Sequence, residues 1–144
     1  MATERKASVV WQGDLMNGSG TIEEAPSGAF GPLDVSWASR SEEPNGKTSP
    51  EELIASAWAS CFAMSLSGRL ARGGNPPEKL ETSARVTFQP GEGITKGVLS
   101  VRGTVSGMDE SAFRDAAEAA KENCPVSKAL AGIPDVTLEA SLAA

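Results

Sequence analysis

Two cysteines, Cys61 and Cys124, are the residues of this sequence best suited to redox chemistry. The chain of 144 residues contains no histidine and no tyrosine. It therefore has no imidazole base and none of the usual mixed cysteine and histidine zinc sites. Any chemistry must use thiol, carboxylate, guanidinium or amine groups. The cysteines are 63 residues apart, which excludes a C-x-x-C redox motif.

The sequence places the two cysteines in different local settings. Cys61 falls in a predicted helix beside Trp58 and Phe62, and an apolar setting raises the pKa of a thiol and makes it inert. Cys124 directly precedes Pro125, which predicts an N-cap position where free N–H groups favour a thiolate. Cytosolic cysteines are more often inert, buried apolar residues. These positions alone leave an inert role and a redox role both open.

The composition indicates a folded chain, and its charge disfavours some classes of binding partner. The chain has a common domain length, with 40% hydrophobic and 22% charged residues, so we expect a single domain over residues 1–144. A formal net charge of -6 disfavours nucleic acid and membrane partners. No secretory signal is recognisable at the start, and the longest apolar stretch, residues 53–66, is too short to cross a bilayer. We therefore expect a cytoplasmic protein.

The sequence patterns around the cysteines predict an α+β fold, whose helices and strands must position the two thiols. The helix holding Cys61 begins at a capping signal, with Ser49 as cap, Pro50 at the first helical position and Glu52 closing a capping box. Its apolar face is broad and predicts burial on several sides, as in a central helix packed on a sheet. The residues on this face are Ile54, Trp58, Cys61 and Ser65, with Leu53, Ala57 and Met64 close by. A second helix is predicted over 109–121 and a helical turn over 125–130. Apolar alternation and turn residues predict six strands, at 8–12, 21–23, 33–37, 80–88, 99–105 and 136–142. The first and second of these strands should form one hairpin, and the fourth and fifth another.

Two long segments resemble signatures of the OsmC/Ohr family. Residues 48–66, TSPEELIASAWASCFAMSL, are similar to the central-helix signature, and residues 123–130, NCPVSKAL, look like the second signature. The opening segment 11–20 also resembles the OsmC branch, so the resemblance extends over essentially the whole chain. It implies an OsmC-like fold, in which antiparallel sheets pack on a long central helix and two chains form an intertwined homodimer.

The same resemblance implies a peroxidase activity. Cys61 would be the peroxidatic cysteine and Cys124 the resolving one, with a disulfide between them as intermediate. Organic hydroperoxides would be the substrates, and hydrogen peroxide a weaker one. The family uses no bound metal or flavin, and its electron donor is a dihydrolipoyl group carried on a protein.

Arg40 and Glu51 match the arginine and glutamate that assist the cysteines in the family. A guanidinium can lower the pKa of Cys61 and stabilise the departing alkoxide, and Glu51 would hold that guanidinium in place. Without the resemblance, Glu51 would be interpreted as an ordinary carboxylate in the first turn of a helix. Family members often have a histidine three residues before the first cysteine, where this chain has Trp58, so activation does not rely on imidazole.

Glu51 and Cys61 are ten residues apart, which is about 15 Å along a helix. A glutamate cannot span that distance. We therefore expect Glu51 to serve Cys61 of the partner subunit in a homodimer.

Trp58, Phe62 and Met64 could line an apolar entrance for an alkyl chain, although helical spacing alone is more typical of core residues. A different class of function is a non-catalytic osmotic or oxidative-stress binding protein on the same fold, with both cysteines passive. Disulfide exchange is a third possibility, which the missing C-x-x-C motif disfavours. Slow alkylation of Cys61 at neutral pH would favour the passive alternative.

Overall fold

Three short strands form an antiparallel sheet at the start of the chain. In the computed structural model, which describes residues 1–144, β1 (Val9–Gln12) pairs with β2 (Ser19–Ile22), and β2 pairs with β3 (Leu33–Val35). The predicted first hairpin is therefore confirmed. This sheet belongs to the first of two units, Met1–Leu53 and Ile54–Ala144. The expectation of a single domain stays a prediction.

The third strand ends earlier than its alternation predicts, because Trp37 begins the short helix α1 (Trp37–Ser41). Ser36 caps this helix: its side chain accepts a hydrogen bond from the Ser39 N–H, and the Ser36 N–H donates to the Ser39 hydroxyl oxygen. This reciprocal capping box outweighs the strand-like alternation. The prediction of a strand through Trp37 was wrong, and Arg40 lies within this short helix.

Helix α2 (Pro50–Arg72) confirms the predicted long helix and its start. The Ser49 hydroxyl oxygen accepts a hydrogen bond from the Glu52 N–H at 3.2 Å. The Glu52 carboxylate accepts one from the Thr48 hydroxyl at 2.7 Å. The helix ends before Gly74, whose positive φ of 92° suits glycine and carries the chain out of the helix.

Only one stripe of α2 is buried. Its members recur every fourth residue and are at most 2% exposed: Trp58, Phe62, Leu66 and Leu70. Of the predicted face, Trp58 belongs to this stripe and Ile54, Cys61 and Ser65 are half-buried, whereas Ala57 and Met64 beside it are exposed. Burial on several sides was therefore wrong for this chain. Residues four positions apart lie on the same face of a helix, so the buried side chains form a single stripe.

The second sheet contains three strands, two of them in the predicted hairpin. Strand β4 (Lys79–Gln89) pairs antiparallel with β5 (Gly93–Thr104), but β6 (Asp135–Leu142) pairs with β5 in parallel. The expectation of purely antiparallel sheets was wrong at this edge. Helices α3 (Glu110–Asn123) and α4 (Pro125–Ala129) lie between β5 and β6 in the chain, and a crossover of this kind returns the chain for parallel pairing.

The core of the second unit forms where large side chains of α2 and α3 pack on β5, two of them over glycines of that strand. A Cβ atom added to Gly97 would lie 2.5 Å from the Trp58 ring, and one added to Gly103 would lie 2.5 Å from the Phe113 ring. Both aromatic rings are buried, so they lie directly on the backbone of the sheet. None of the helices combines the length and apolar character needed to cross a membrane.

Candidate active site

The second unit brings the two cysteines together. Cys61 lies in the middle of α2, and Cys124 lies where α3 ends and α4 begins. Their Sγ atoms are 2.9 Å apart, in a sulfur–sulfur hydrogen bond. Both are free thiols, with Cys124 fully buried and Cys61 half-buried. Two thiols this close can form a disulfide with little movement.

Pro125 fixes the position of Cys124 through the backbone. Proline has no N–H to continue α3, but its restricted φ suits the first position of α4. The Cys124 N–H donates to the Ala120 carbonyl at 2.9 Å, and the Cys124 carbonyl accepts from the Lys128 N–H at 3.0 Å. Cys124 is therefore held by both helices, and its predicted N-cap position is confirmed.

The surroundings of the two sulfurs shift their pKa values in opposite directions. Burial raises the pKa of the Cys61 thiol, and the hydrogen bond with Cys124 raises it further. Burial acts in the same sense on Cys124, but the neighbouring Cys61 thiol and the polar groups of Ser127 and Val126 outweigh it, so that the pKa of Cys124 is lowered. The two sulfurs therefore influence each other's titration.

Sequence reasoning did not identify Ser127, which joins the two cysteine-bearing helices. The Trp58 indole N–H donates to the Ser127 hydroxyl oxygen at 2.7 Å. Trp58 precedes Cys61 by three residues and Ser127 follows Cys124 by three, so this hydrogen bond lies beside the sulfur pair. The sequence feature that could have pointed to Ser127 is Trp58 itself, because a buried tryptophan needs an acceptor for its N–H.

The three residues predicted to line a substrate entrance lie in two different environments. Trp58 and Phe62 are core residues, 1% and 0% exposed, whereas Met64 is 74% exposed. Met64 lines a separate surface groove of about 580 Å³ that also includes Pro77 and Leu80. The structure thus confirms the core interpretation of Trp58 and Phe62. A role for these three residues in substrate binding stays a prediction.

The first unit contains the Arg40 and Glu51 ion pair. The Arg40 Nε donates to Glu51 Oε1 at 3.0 Å, and Nη2 donates to Oε2 at 2.9 Å. Glu51 is buried although it is charged, and such a carboxylate requires a paired, two-point hydrogen-bonding partner of this kind. The predicted ion pair is present, and its role in catalysis stays a prediction. No group of three or more cysteine, aspartate or glutamate side chains is arranged to hold a metal ion.

Comparisons with known proteins identify similar sequences and folds. A family model described as OsmC-like protein matches residues 43–139. Peroxiredoxin OsmC of Escherichia coli (strain K12) is 36% identical over an alignment of 145 positions that covers 99% of each chain. Organic hydroperoxide resistance protein OhrB of Bacillus subtilis (strain 168) is 32% identical over 110 residues, covering 74% of this chain and 79% of OhrB. The crystal structure of OhrB matches with a TM-score of 0.67 over 94% of this chain and 97% of that one, at 26% identity. An OsmC-like protein from Mycoplasma pneumoniae matches with a TM-score of 0.75 over the full length of both chains, at 14% identity, which is a likeness of fold alone.

Proposed function

The chain belongs to the OsmC family, and from this premise we propose that it is a thiol-dependent peroxidase that reduces organic hydroperoxides, and hydrogen peroxide more weakly. The observation that carries this proposal is the 2.9 Å separation of the Cys61 and Cys124 sulfurs. Relatives named peroxiredoxin and organic hydroperoxide resistance protein support the same substrate class.

In the first half of the proposed cycle, Cys61 reacts with the hydroperoxide. Its thiolate attacks the outer oxygen, the oxygen–oxygen bond breaks, and the alkoxide leaves as an alcohol after taking up a proton. Cys61 is thereby oxidised to a sulfenic acid. Its partial exposure supports this assignment, because the fully buried Cys124 offers a hydroperoxide no direct access.

In the second half, Cys124 resolves the sulfenic acid. Its thiolate attacks the Cys61 sulfur, the Cys61 sulfur–oxygen bond breaks, and the hydroxide takes up a proton and leaves as water. The two thiols and the hydroperoxide have then become a disulfide, an alcohol and water. A dithiol, for which we propose a dihydrolipoyl group carried on a protein, reduces the disulfide and is itself oxidised. No bound cofactor enters these steps.

Arg40 is the cation that we propose for the first step. Burial and the neighbouring Cys124 both raise the pKa of Cys61, so attack by Cys61 needs a group that favours its thiolate. A guanidinium does so and also stabilises the charge on the departing alkoxide. The two hydrogen bonds to Glu51 support this role because they hold the guanidinium in one orientation.

A peroxidase assay tests the function. With dihydrolipoamide as donor, we expect cumene hydroperoxide to be consumed at least about tenfold faster than hydrogen peroxide, a preference of roughly 1.4 kcal/mol in the transition state. Reactions without protein, and with protein alkylated at its thiols, serve as controls. If neither peroxide is consumed and both thiols stay reduced, the passive stress-protein alternative is favoured.

We also propose that the active protein is a homodimer in which Glu51 of one chain serves Cys61 of the partner subunit. Glu51→Ala and Cys61→Ser homodimers are each expected to be impaired. Co-refolding the two variants would give mixed dimers with one complete site, so peroxidase activity should recover to about half of the wild-type value per mixed dimer. If each site uses residues of one chain only, every site in the mixed dimer lacks a member, and activity stays at the level of the parent variants.

A further inference from the structure

A hydrogen bond joins α4 to α2 close to the two cysteines, and the proposed cycle has not used it. The Trp58 indole N–H on α2 donates to the Ser127 hydroxyl oxygen on α4 at 2.7 Å. Trp58 precedes Cys61 by three residues, and Ser127 follows Cys124 by three. Three residues are close to one turn of a helix. The hydrogen bond therefore lies about one turn away from the sulfur pair on each side.

Helix α4 depends on contacts with the rest of its unit for its position. It has five residues, none of them fully buried, and helices this short are not stable by themselves. The backbone hydrogen bonds of α4 and its two ends join residues 120–133 to one another. Val126 and Leu130 pack against the core, but apolar contacts of this kind are not directional. The Trp58–Ser127 hydrogen bond adds a directional contact with α2.

Trp58 provides a fixed end for this contact. Its side chain is 1% exposed, and its ring lies so close to β5 that a Cβ atom added to Gly97 would be 2.5 Å from it. The indole N–H therefore points in one direction. A buried indole N–H is costly to leave without an acceptor, so the native arrangement favours the position of α4 in which Ser127 accepts it.

We propose that Trp58 and Ser127 are positioning residues whose hydrogen bond holds α4 on α2 and thereby keeps the Cys124 sulfur 2.9 Å from the Cys61 sulfur. This inference rests on the proposed function, since it concerns the resolving step of that cycle. In that step Cys124 bonds to the Cys61 sulfur, the sulfur–oxygen bond breaks, and the hydroxide leaves as water. A displacement of about 1 Å can slow a reaction between two positioned groups by about 10².

The test measures the effective concentration of the two thiols for each other. The full-length protein is equilibrated with mixtures of reduced and oxidised glutathione, and the ratio of disulfide to dithiol protein gives this quantity without any peroxide. Ser127→Ala and Trp58→Phe each remove one partner of the hydrogen bond, and a double variant removes both. Alanine is a better helix former than serine, so Ser127→Ala does not weaken α4 itself.

We expect each single variant to lower the effective concentration about fivefold, as the loss of one hydrogen bond predicts. The double variant should fall no further than the lower of the two single variants, because both substitutions remove the same contact. Ser127→Thr keeps the hydroxyl and should retain the wild-type value. Under excess organic hydroperoxide, Ser127→Ala should also convert a larger fraction of Cys61 to sulfinic acid than wild type does.

Thr82→Val is the matched control. The Thr82 hydroxyl donates to the Ala59 carbonyl at 3.1 Å, so it joins β4 to α2 next to Trp58 without involving α4. Thr82→Val should lower the free energy of unfolding in urea and leave the effective concentration unchanged.

Three results would overturn the proposal: wild-type effective concentrations in Ser127→Ala and Trp58→Phe, additive effects in the double variant, or an equal decrease in Thr82→Val. A wild-type protein that does not react with hydroperoxides would instead refute the proposed function, because the equilibrium with glutathione requires no peroxide.

Discussion

Replacing Cys61 by serine is expected to abolish peroxidase turnover. A serine hydroxyl is too weak an acid to supply a nucleophile at neutral pH, and Cys124 is fully buried, so it cannot take over the attack. The rate of hydroperoxide consumption should fall to that of the reaction without protein. Turnover that survives in Cys61→Ser would show that another residue attacks the peroxide.

Replacing Cys124 by serine should give a different result, because only the resolving step is lost. The neighbouring Cys124 sulfur raises the pKa of Cys61 through its hydrogen bond and its charge, so the first attack should stay fast in Cys124→Ser. The sulfenic acid then has no partner and should advance to sulfinic acid under excess peroxide. Mass spectrometry of Cys61-containing peptides would show two added oxygen atoms. Slow first oxidation of Cys61 in this variant would contradict the assignment.

Arg40→Lys is expected to lose most of the activity although it keeps the positive charge. A lysine ammonium is a point charge and cannot offer the planar pair of donors that Arg40 directs at Glu51 through Nε and Nη2. Loss of oriented donors at a site of developing negative charge typically lowers turnover by about 10². Steady-state rates with an organic hydroperoxide, together with thiolate titration of Cys61, measure the effect.

Arg114→Lys is a suitable control for that substitution. Arg114 also pairs with a glutamate, Glu110, but both side chains are exposed on the surface of α3. Such a pair contributes little, so Arg114→Lys should keep wild-type rates. Near wild-type rates and an unchanged Cys61 titration in Arg40→Lys would remove Arg40 from the mechanism.

Most elements of the fold were predictable because their signals are local. The Ser49 cap and Pro50 start α2, and Cys124-Pro125 divides α3 from α4, in each case through hydrogen bonds within a few residues. The end of β3 was not predictable, because the Ser36 capping box competes with the strand pattern over the same residues. The parallel pairing of β6 depends on how the chain returns to β5, and alternation along one strand carries no information about its neighbour.

The cysteine pair was predictable from the sequence, but the groups that surround it were not. Resemblance to the OsmC/Ohr family pointed to Cys61, Cys124, Arg40 and Glu51, whereas counting cysteines left their role open. The opposite pKa shifts of the two thiols depend on burial and on groups that tertiary structure brings together. Such long-range contacts leave no periodic signal in the sequence.

The intact mass of the protein after one equivalent of organic hydroperoxide tests the central claim most directly. The chain has two cysteines, and their sulfurs lie 2.9 Å apart, so we expect rapid conversion to the intramolecular disulfide. The mass should fall by two hydrogen atoms, with Cys61 and Cys124 recovered in one cross-linked peptide pair. A wild-type protein that instead gains one oxygen atom per chain and keeps it would show that Cys124 does not resolve Cys61.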